Sequence, residues 1–269
     1  MIAVVDYQKG NLKSVERGLI AAGGEALITA DASEIAKADA IVLPGVGAFA
    51  DAAATMCELG QMEAIRDRVR AGVPFLGICL GEHLMFEHGV EGAPEGNPAC
   101  GLGLLPGTVV AMPRCDAQGK AFKVPHVGWN TIEIPACGGS AAVPPCGEGG
   151  GNAVLSSGGA GGGAARSSAA KRELFEHGAF PGSAPQPGSD LAFACPLFDG
   201  IAPGEYFYFT HSFIAPTGSH TIAETTHSVR FTSAVQFGER AFGVQFHPEK
   251  SSDAGARVLA NFVAIAARG

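Results

Sequence analysis

The sequence has few basic residues and no long apolar run. Its 269 residues include 18 Lys and Arg against 26 Asp and Glu, which gives a formal net charge of −8. A surface that binds nucleic-acid phosphates needs clustered Lys and Arg, so we do not expect a nucleic-acid partner. The longest apolar run, around residues 71–81, is far shorter than the roughly 20 residues of a membrane span. We therefore expect a soluble protein without a membrane partner.

The cysteines lack the spacing of a disulfide framework or a structural zinc site. Seven cysteines stand at irregular intervals, without paired Cys-x-x-Cys motifs. The N-terminus also lacks the basic region, apolar stretch and small-residue cleavage site that together make a secretion signal. These absences indicate a cytoplasmic protein, and the residues call for no metal and no cofactor.

Glycine and proline, in contrast, are abundant. The chain has 39 Gly and 17 Pro, about a fifth of its residues against a usual roughly 12%. Together with Ser and Ala they concentrate at about 137–195, where the only plausible helix is at 171–177. Such a composition buries too little apolar surface to offset the entropy lost on ordering. We predict one domain over residues 1–269, interrupted there by a disordered insertion.

Elsewhere, short apolar runs alternate with helical patterns, which is typical of a parallel α/β sheet. Helical spacing predicts helices at 12–20, from Asp51 towards Arg70, after Cys79 as far as Gly89, and at 254–267. The apolar runs predict strands at 2–6, 26–29, 40–43, 74–79, 205–212, 220–226, 233–237 and 241–246.

A cysteine flanked by glycines follows one of these apolar strands. The segment Gly77-Ile78-Cys79-Leu80-Gly81 is the sulfur version of a nucleophile elbow, in which small residues allow a sharp turn between strand and helix. At a helix N-terminus the backbone N–H groups favour the reactive thiolate. Taken alone, the segment fits a buried structural cysteine equally well.

A histidine at the end of the last strand strengthens the catalytic interpretation. Residues i and i+2 of an extended segment project to the same face, so His247 could act as a base on Cys79 while Glu249 orients its imidazole. A surface histidine before a proline is the alternative. A third segment, Leu43-Pro44-Gly45-Val46-Gly47, could supply backbone N–H groups from Gly45 and Val46 that hold an oxyanion together with the N–H of Leu80. A tight turn would explain its glycines nearly as well.

In this order on alternating α/β structure, the three segments resemble the class I glutamine amidotransferases, which use a Cys-His-Glu triad. The resemblance implies an open, mixed, mostly parallel sheet flanked by helices, which is a flavodoxin-like α/β fold. Four further segments resemble the glutaminase subunits of imidazole glycerol phosphate synthases: Asp6 with Gly10-Asn11-Leu12, 125–130, 206–212, and 245–251 with Asn261-Phe262.

The resemblance also implies a mechanism and a partner. Cys79 would attack the side-chain amide of glutamine, releasing ammonia and leaving a thioester that water hydrolyses while His247 shuttles protons. The ammonia would pass to a (β/α)8-barrel cyclase subunit in a heterodimer, yielding imidazole glycerol phosphate and AICAR in histidine biosynthesis. By position, the residues that would meet this partner are Asn11, Trp129, Tyr208 and Lys250, although the two aromatics could be core residues and Lys250 a solvated charge.

The glutamine contacts implied by the resemblance include two departures from the family pattern. His83 stands where relatives have Gln, and an imidazole lacks the paired donor and acceptor of an amide. Phe213 stands where Tyr is usual, which removes a hydroxyl. The five implied contacts are Gly47, His83, Glu91, Ser212 and Phe213.

Two other hypotheses remain open from the sequence. One is a glutaminase subunit that serves another acceptor, for example in a sugar-amidination pathway, because acceptor identity lies in the partner. The other is a binding or regulatory module that has lost glutamine turnover, which His83 favours and the retained Cys79, His247 and Glu249 oppose.

Overall fold

The computed structural model of the chain describes residues 1–135 and 193–268. The predicted insertion falls almost entirely outside these residues, as does the helix expected at 171–177. Beyond the gap, Phe193 and Cys195 are already buried in the core. The predicted end of the insertion at 195 is therefore corrected, because Phe193 and Cys195 belong to the core.

A seven-stranded sheet forms the centre of the described structure. Its order is β11-β12-β13-β4-β3-β1-β2. Strands β13, β4, β3, β1 and β2 run parallel, and at one edge β12 is antiparallel to both of its neighbours, β13 and β11. The predicted mixed, mostly parallel sheet is therefore confirmed. Its central strands are buried on both faces, as strands covered by helices on each side must be. The strands are β1 Ile2–Val5, β2 Ala26–Thr29, β3 Ala40–Gly45, β4 Phe75–Cys79, β11 Thr221–Thr226, β12 Arg230–Phe237 and β13 Ala241–Val244.

Helices cover both faces of this sheet. Alternate residues of β1 divide between two cores, because successive side chains of a strand point to opposite faces. Ile2 and Val4 pack with α1 and α6, whereas Ala3 and Val5 pack with α3 and α4. The helices are α1 Leu12–Ala21, α2 Ala32–Ile35, α3 Phe49–Glu58, α4 Gln61–Arg70, α5 Leu80–His83 and α6 Ser252–Ala266. None of the helices in the described ranges is long and apolar enough to span a membrane.

Two helix predictions need correction. The single helix expected from Asp51 to Arg70 is two helices, α3 and α4, because Gly60 between them adopts a left-handed conformation with φ of 68°. The helix expected after Cys79 as far as Gly89 is wrong. It ends at His83, and β5 Phe86–Gly89 follows, so that His88 lies in a strand. A short apolar run fits a helix or a strand equally well. Here the segment is a strand because it pairs with β7, Leu105–Ala111.

Two smaller sheets lie at the carboxyl ends of the central strands. One has the order β10-β7-β5-β6, with β6 Ala99–Cys100, β7 Leu105–Ala111 and β10 Phe213–Ile214. The other pairs β8 His126–Thr131 with β9 Tyr206–His211, antiparallel, so that Trp129 lies opposite Tyr208. Strands β5 to β8 were not predicted, and β9 and β10 lie in the segment predicted as one strand at 205–212 and just beyond it.

Candidate active site

Cys79 occupies a strained turn at the end of β4. Its φ of 55° and ψ of −106° are unusual for a residue with a side chain, and α5 begins at the next residue. The flanking glycines are required on steric grounds. A Cβ on Gly77 would lie 2.5 Å from the carbonyl oxygen of Gly81, and a Cβ on Gly81 would lie 1.8 Å from that of Leu43. The sharp turn expected from the glycines is therefore present.

His247 and Glu249 form a buried pair beside this turn. Strand β13 runs parallel to β4, so the segment that follows it emerges at the same edge of the sheet as Cys79. His247 Nδ1 donates to Glu249 Oε1 across 2.9 Å, and both side chains are at most 3% exposed. The prediction that these two residues meet along an extended segment is wrong, because Glu249 lies in a 3₁₀ turn, Pro248–Lys250.

Because Nδ1 of His247 is bonded to Glu249, the other ring nitrogen, Nε2, is available to the thiol of Cys79. Burial lowers the pKa of His247, but hydrogen bonding and charge interactions with Cys79 and Glu249 outweigh burial and raise this pKa to about 9. Nε2 is buried and has no nitrogen or oxygen partner among the described residues. At neutral pH the imidazole is therefore protonated, and its positive charge lies beside the sulfur of Cys79.

A cavity of about 390 Å³ opens onto Cys79. Gly45 is paired with Cys79 across β3 and β4, so the loop that starts there lies beside the nucleophile. That loop's Val46 lines the cavity, as does Leu80. All five residues expected to contact glutamine also line it, namely Gly47, His83, Glu91, Ser212 and Phe213. A larger cavity of about 560 Å³, around Met1 and Arg240, lies at the opposite, amino ends of the strands, away from this chemistry.

Comparisons with known proteins agree with this geometry. A family model described as glutamine amidotransferase class-I matches residues 3–136 and 154–266. The chain is 36% identical to imidazole glycerol phosphate synthase subunit HisH of Moorella thermoacetica, over 97% of this chain and 93% of the relative. It is 35% identical to the subunit of the same name from Rhodopirellula baltica, over 97% and 96%. The chain belongs to the class I glutamine amidotransferase family, in the branch of the HisH subunits. The predicted family is thus confirmed.

Solved structures resemble the fold of this amidotransferase. A crystal structure of a glutamine amidotransferase aligns with a TM-score of 0.58 and 16% identity, covering 99% of this chain and 100% of that one. The structure of PurLQS from Thermotoga maritima aligns with a TM-score of 0.56 and 15% identity, covering 98% and 97%. At these identities the likeness shows the fold alone.

Three of the four residues expected to meet a partner lie together on the amidotransferase. Trp129 is 42% exposed on the outer face of β8, its ring 6.0 Å from that of Tyr208 on β9. The Nζ of Lys250 lies 5.9 Å from the Tyr208 ring centroid. The fourth, Asn11, precedes α1, which packs against the 3₁₀ turn of Lys250. The inner face of the strand pair, in contrast, is buried.

Sequence reasoning assigned no role to two buried side chains beside the nucleophile. Gln245 Nε2 donates to the sulfur of Cys79 at 3.6 Å, and its Oε1 is 2.7 Å from His83 Nε2. Gln245 lies in the segment 245–251 that carries the family resemblance, but its partners are far away in the sequence, so no local spacing indicates its contacts. Glu82 is fully buried, and neither carboxyl oxygen has a hydrogen-bond partner among the described residues.

A hydrogen-bonded series of side chains connects the Trp129 strand with the cavity. His211 Nδ1 donates to the carbonyl oxygen of Phe213 at 2.9 Å, so its neutral ring accepts at Nε2 from His126 Nδ1 at 3.0 Å. His126 Nε2 in turn accepts from Asn130 Nδ2 at 3.3 Å, and that amide also donates to the carbonyl oxygen of Thr226. Burial lowers the pKa of both histidines, to about 4 for His126, so both rings are neutral at pH 7.

In residues 1–135 and 193–268, no group of three or more His, Cys, Asp or Glu side chains is arranged to hold a metal ion.

Proposed function

We propose that this amidotransferase hydrolyses glutamine at Cys79 and supplies the ammonia to a (β/α)8-barrel cyclase subunit, as the glutaminase subunit of an imidazole glycerol phosphate synthase. The observation that carries the proposal is the buried His247–Glu249 pair beside a cysteine on a strained turn, in a chain that matches HisH subunits over nearly its whole length. The proposal includes a cytoplasmic heterodimer and a single domain interrupted by the insertion.

The first half of the reaction breaks the carbon–nitrogen bond of the substrate amide. The Cys79 thiolate attacks the amide carbon, and the negative charge moves to the carbonyl oxygen. The backbone N–H groups of Gly45, Val46 and Leu80 are our candidates to stabilise it. Protonated His247 gives its proton to the leaving nitrogen, and ammonia departs from a γ-glutamyl thioester. Glu249 holds the imidazole in orientation and stabilises its positive charge.

The second half restores the enzyme. His247, now neutral, takes a proton from water, which attacks the thioester carbon. The carbon–sulfur bond breaks, glutamate leaves, and Cys79 is again a thiolate beside protonated His247. Through this cycle the cavity must hold the substrate's charged α-amino and carboxylate groups, for which Glu91 and the polar atoms around Gly47 and Ser212 are our candidates.

The exposed aromatic surface supports a protein partner. Trp129 and Tyr208 stand on the outer face of the β8–β9 pair, and two neighbours on that face, Val127 and Tyr206, are 55% and 47% exposed. Tryptophan and tyrosine are enriched among the residues that dominate binding energy at interfaces. We propose that the cyclase subunit covers this face and receives ammonia there for synthesis of imidazole glycerol phosphate and AICAR.

The test is glutamate release from glutamine by the purified chain, alone and with a cyclase subunit and its ribonucleotide ligand. We expect activity that requires the partner and that disappears in Cys79→Ala. Cys57→Ala, at an exposed cysteine outside the site, is the matched control and should behave as the wild type does. Trp129→Ala should weaken the complex by about 2 kcal/mol without unfolding the chain. No turnover with any cyclase subunit would contradict the proposal.

A further inference from the structure

Gln245 connects a substituted residue of the cavity to the nucleophile. Its side chain is completely buried, with the amide nitrogen 3.6 Å from the sulfur of Cys79 and the amide oxygen 2.7 Å from Nε2 of His83. The backbone N–H of Gln245 donates to the carbonyl oxygen of Ser233 at 3.0 Å, which fixes the residue from behind. The amide group therefore has one partner at each end and no freedom to turn without losing both.

The chemistry of the sulfur determines which way the amide points. A thiolate attracts an N–H group and repels a carbonyl oxygen, so the NH2 end of Gln245 faces Cys79 and the oxygen faces His83. That oxygen needs a donor, and a neutral imidazole has one N–H, which must then be at Nε2. Burial keeps His83 neutral, since it lowers the pKa of this residue to about 4 despite the hydrogen bond to Gln245.

We propose that Gln245 is a further catalytic residue whose amide N–H stabilises the thiolate of Cys79, and that His83 is the positioning residue that holds this amide in orientation. The inference rests on the proposed glutaminase function, because it concerns the same nucleophile. It gives His83 a role other than the direct glutamine contact expected from its position. His83 Nε2 is occupied by Gln245 and is not available to the substrate.

The experiment measures how the rate of alkylation of Cys79 by iodoacetamide varies with pH, resolved by peptide mass spectrometry because the chain has seven cysteines. Gln245→Leu removes the N–H, and Gln245→Glu keeps the shape but places a carboxylate near the sulfur. We expect both to move the midpoint of the profile up by roughly one pH unit, a tenfold slower alkylation below the midpoint. In glutamine turnover, we expect kcat to fall with little change in KM.

Variants at His83 separate positioning from substrate contact. His83→Leu should shift the alkylation profile in the same direction, and His83→Gln, which can still donate to the Gln245 oxygen, should restore most of it. The matched control is Gln61→Leu, at another fully buried glutamine whose amide donates to the carbonyl oxygens of Asp6 and Ala30 away from the site. This control should lower stability and leave the profile unchanged.

Two results would overturn the inference. One is a wild-type alkylation profile in folded Gln245→Leu and Gln245→Glu. The other, for His83, is a raised KM in His83→Leu with an unchanged profile, which would make the residue a glutamine contact. Alkylation needs neither glutamine nor the cyclase subunit, so the profile decides this question even if the wild-type chain fails to release glutamate.

Discussion

Glu82 has the least favourable environment of the carboxyl groups near the site. It lies on α5 against Gly243 and Met85, is completely buried, and has no hydrogen-bond partner on either oxygen within the described structure. Burial, and secondarily the neighbouring Cys79, raises the pKa of this carboxyl well above its usual value. The folded protein therefore favours the neutral form of Glu82, at a cost in stability, close to the nucleophile.

Replacing Glu82 should stabilise the protein. We expect Glu82→Met to raise the free energy of unfolding by about 1–3 kcal/mol, because an unpartnered buried polar group is removed. The folded state retains a proton on Glu82 that the unfolded state loses above pH 4.5, so wild-type stability falls as pH rises. The gain measured by urea unfolding should then be larger at pH 8 than at pH 5. Glu58→Met, at an exposed position, is the control, and an equal or lower stability of Glu82→Met would contradict the interpretation.

At this scale the sequence revealed the residues whose neighbours are close in the chain. Cys79 stood out through Gly77 and Gly81, and His247 through its spacing from Glu249. The partners of Gln245 and Glu82 are decided by which strands lie side by side. His83 contacts Gln245 because β13 pairs with β4. The two residues are 162 positions apart, so no local sequence pattern predicts their contact.

The turn that joins β4 to α5 requires two residues without a side chain, Gly77 and Gly81. A Cβ added to Gly77 or to Gly81 would lie within 2.5 Å of a backbone oxygen. The backbone cannot move aside as a flexible side chain can. The turn therefore admits only glycine at these positions, although neither residue has a positive φ. The requirement comes from close approach rather than from backbone conformation.

Gly77→Ala should consequently be severe. We expect a loss of about 3 kcal/mol or more in the free energy of unfolding, because the added methyl group meets the first turn of α5. Gly119→Ala is the comparison: its φ is 81° but no atom lies within 4 Å of the added Cβ, so only about 1–2 kcal/mol of backbone strain is expected. Chemical denaturation of both variants measures the difference. A smaller loss for Gly77→Ala than for Gly119→Ala would show that α5 can shift.

Elements with strong periodicity were predictable, and elements made by pairing were not. The central parallel strands and α1, α4 and α6 follow their apolar spacing. Strand β8 does not, because it contains Gly128 and polar residues and exists through its pairing with β9. Strand β5 has a helical pattern in sequence, yet its backbone pairs with β7. In both cases tertiary contact outweighs local preference.

For the whole molecule, buried histidines should place a maximum in the dependence of stability on pH. Burial lowers the pKa of His83 and His126 to about 4 and that of His211 well below its usual value, so the folded state binds fewer protons than the unfolded state below pH 6.5. Stability therefore falls as pH drops from 6.5 towards 4. His247 has the opposite effect, because its pKa is raised to about 9 in the folded state. Its contribution to the free energy of unfolding is complete below pH 6.5 and is lost as pH rises to 9.

Thermal unfolding followed by circular dichroism from pH 4.5 to 9 measures this curve. We expect the highest midpoint temperature between about pH 6 and 7, with a decline on both sides. Glu249→Gln removes the charge that helps to hold a proton on His247, so it should flatten the alkaline side and leave the acid side unchanged. A midpoint that rises steadily to pH 9 would contradict the assignment.

The hydrogen bonds that connect Asn130, His126, His211 and Phe213 all donate in the same direction. Asn130 gives a hydrogen to His126, His126 to His211, and His211 to the carbonyl oxygen of Phe213. An additional proton on either ring would set two donors face to face, and a change of tautomer in one ring would force the same change in the other. The series therefore runs one way, from the inner face of β8 to the rim of the cavity, and it cannot reverse, because the carbonyl oxygen of Phe213 at its end can only accept.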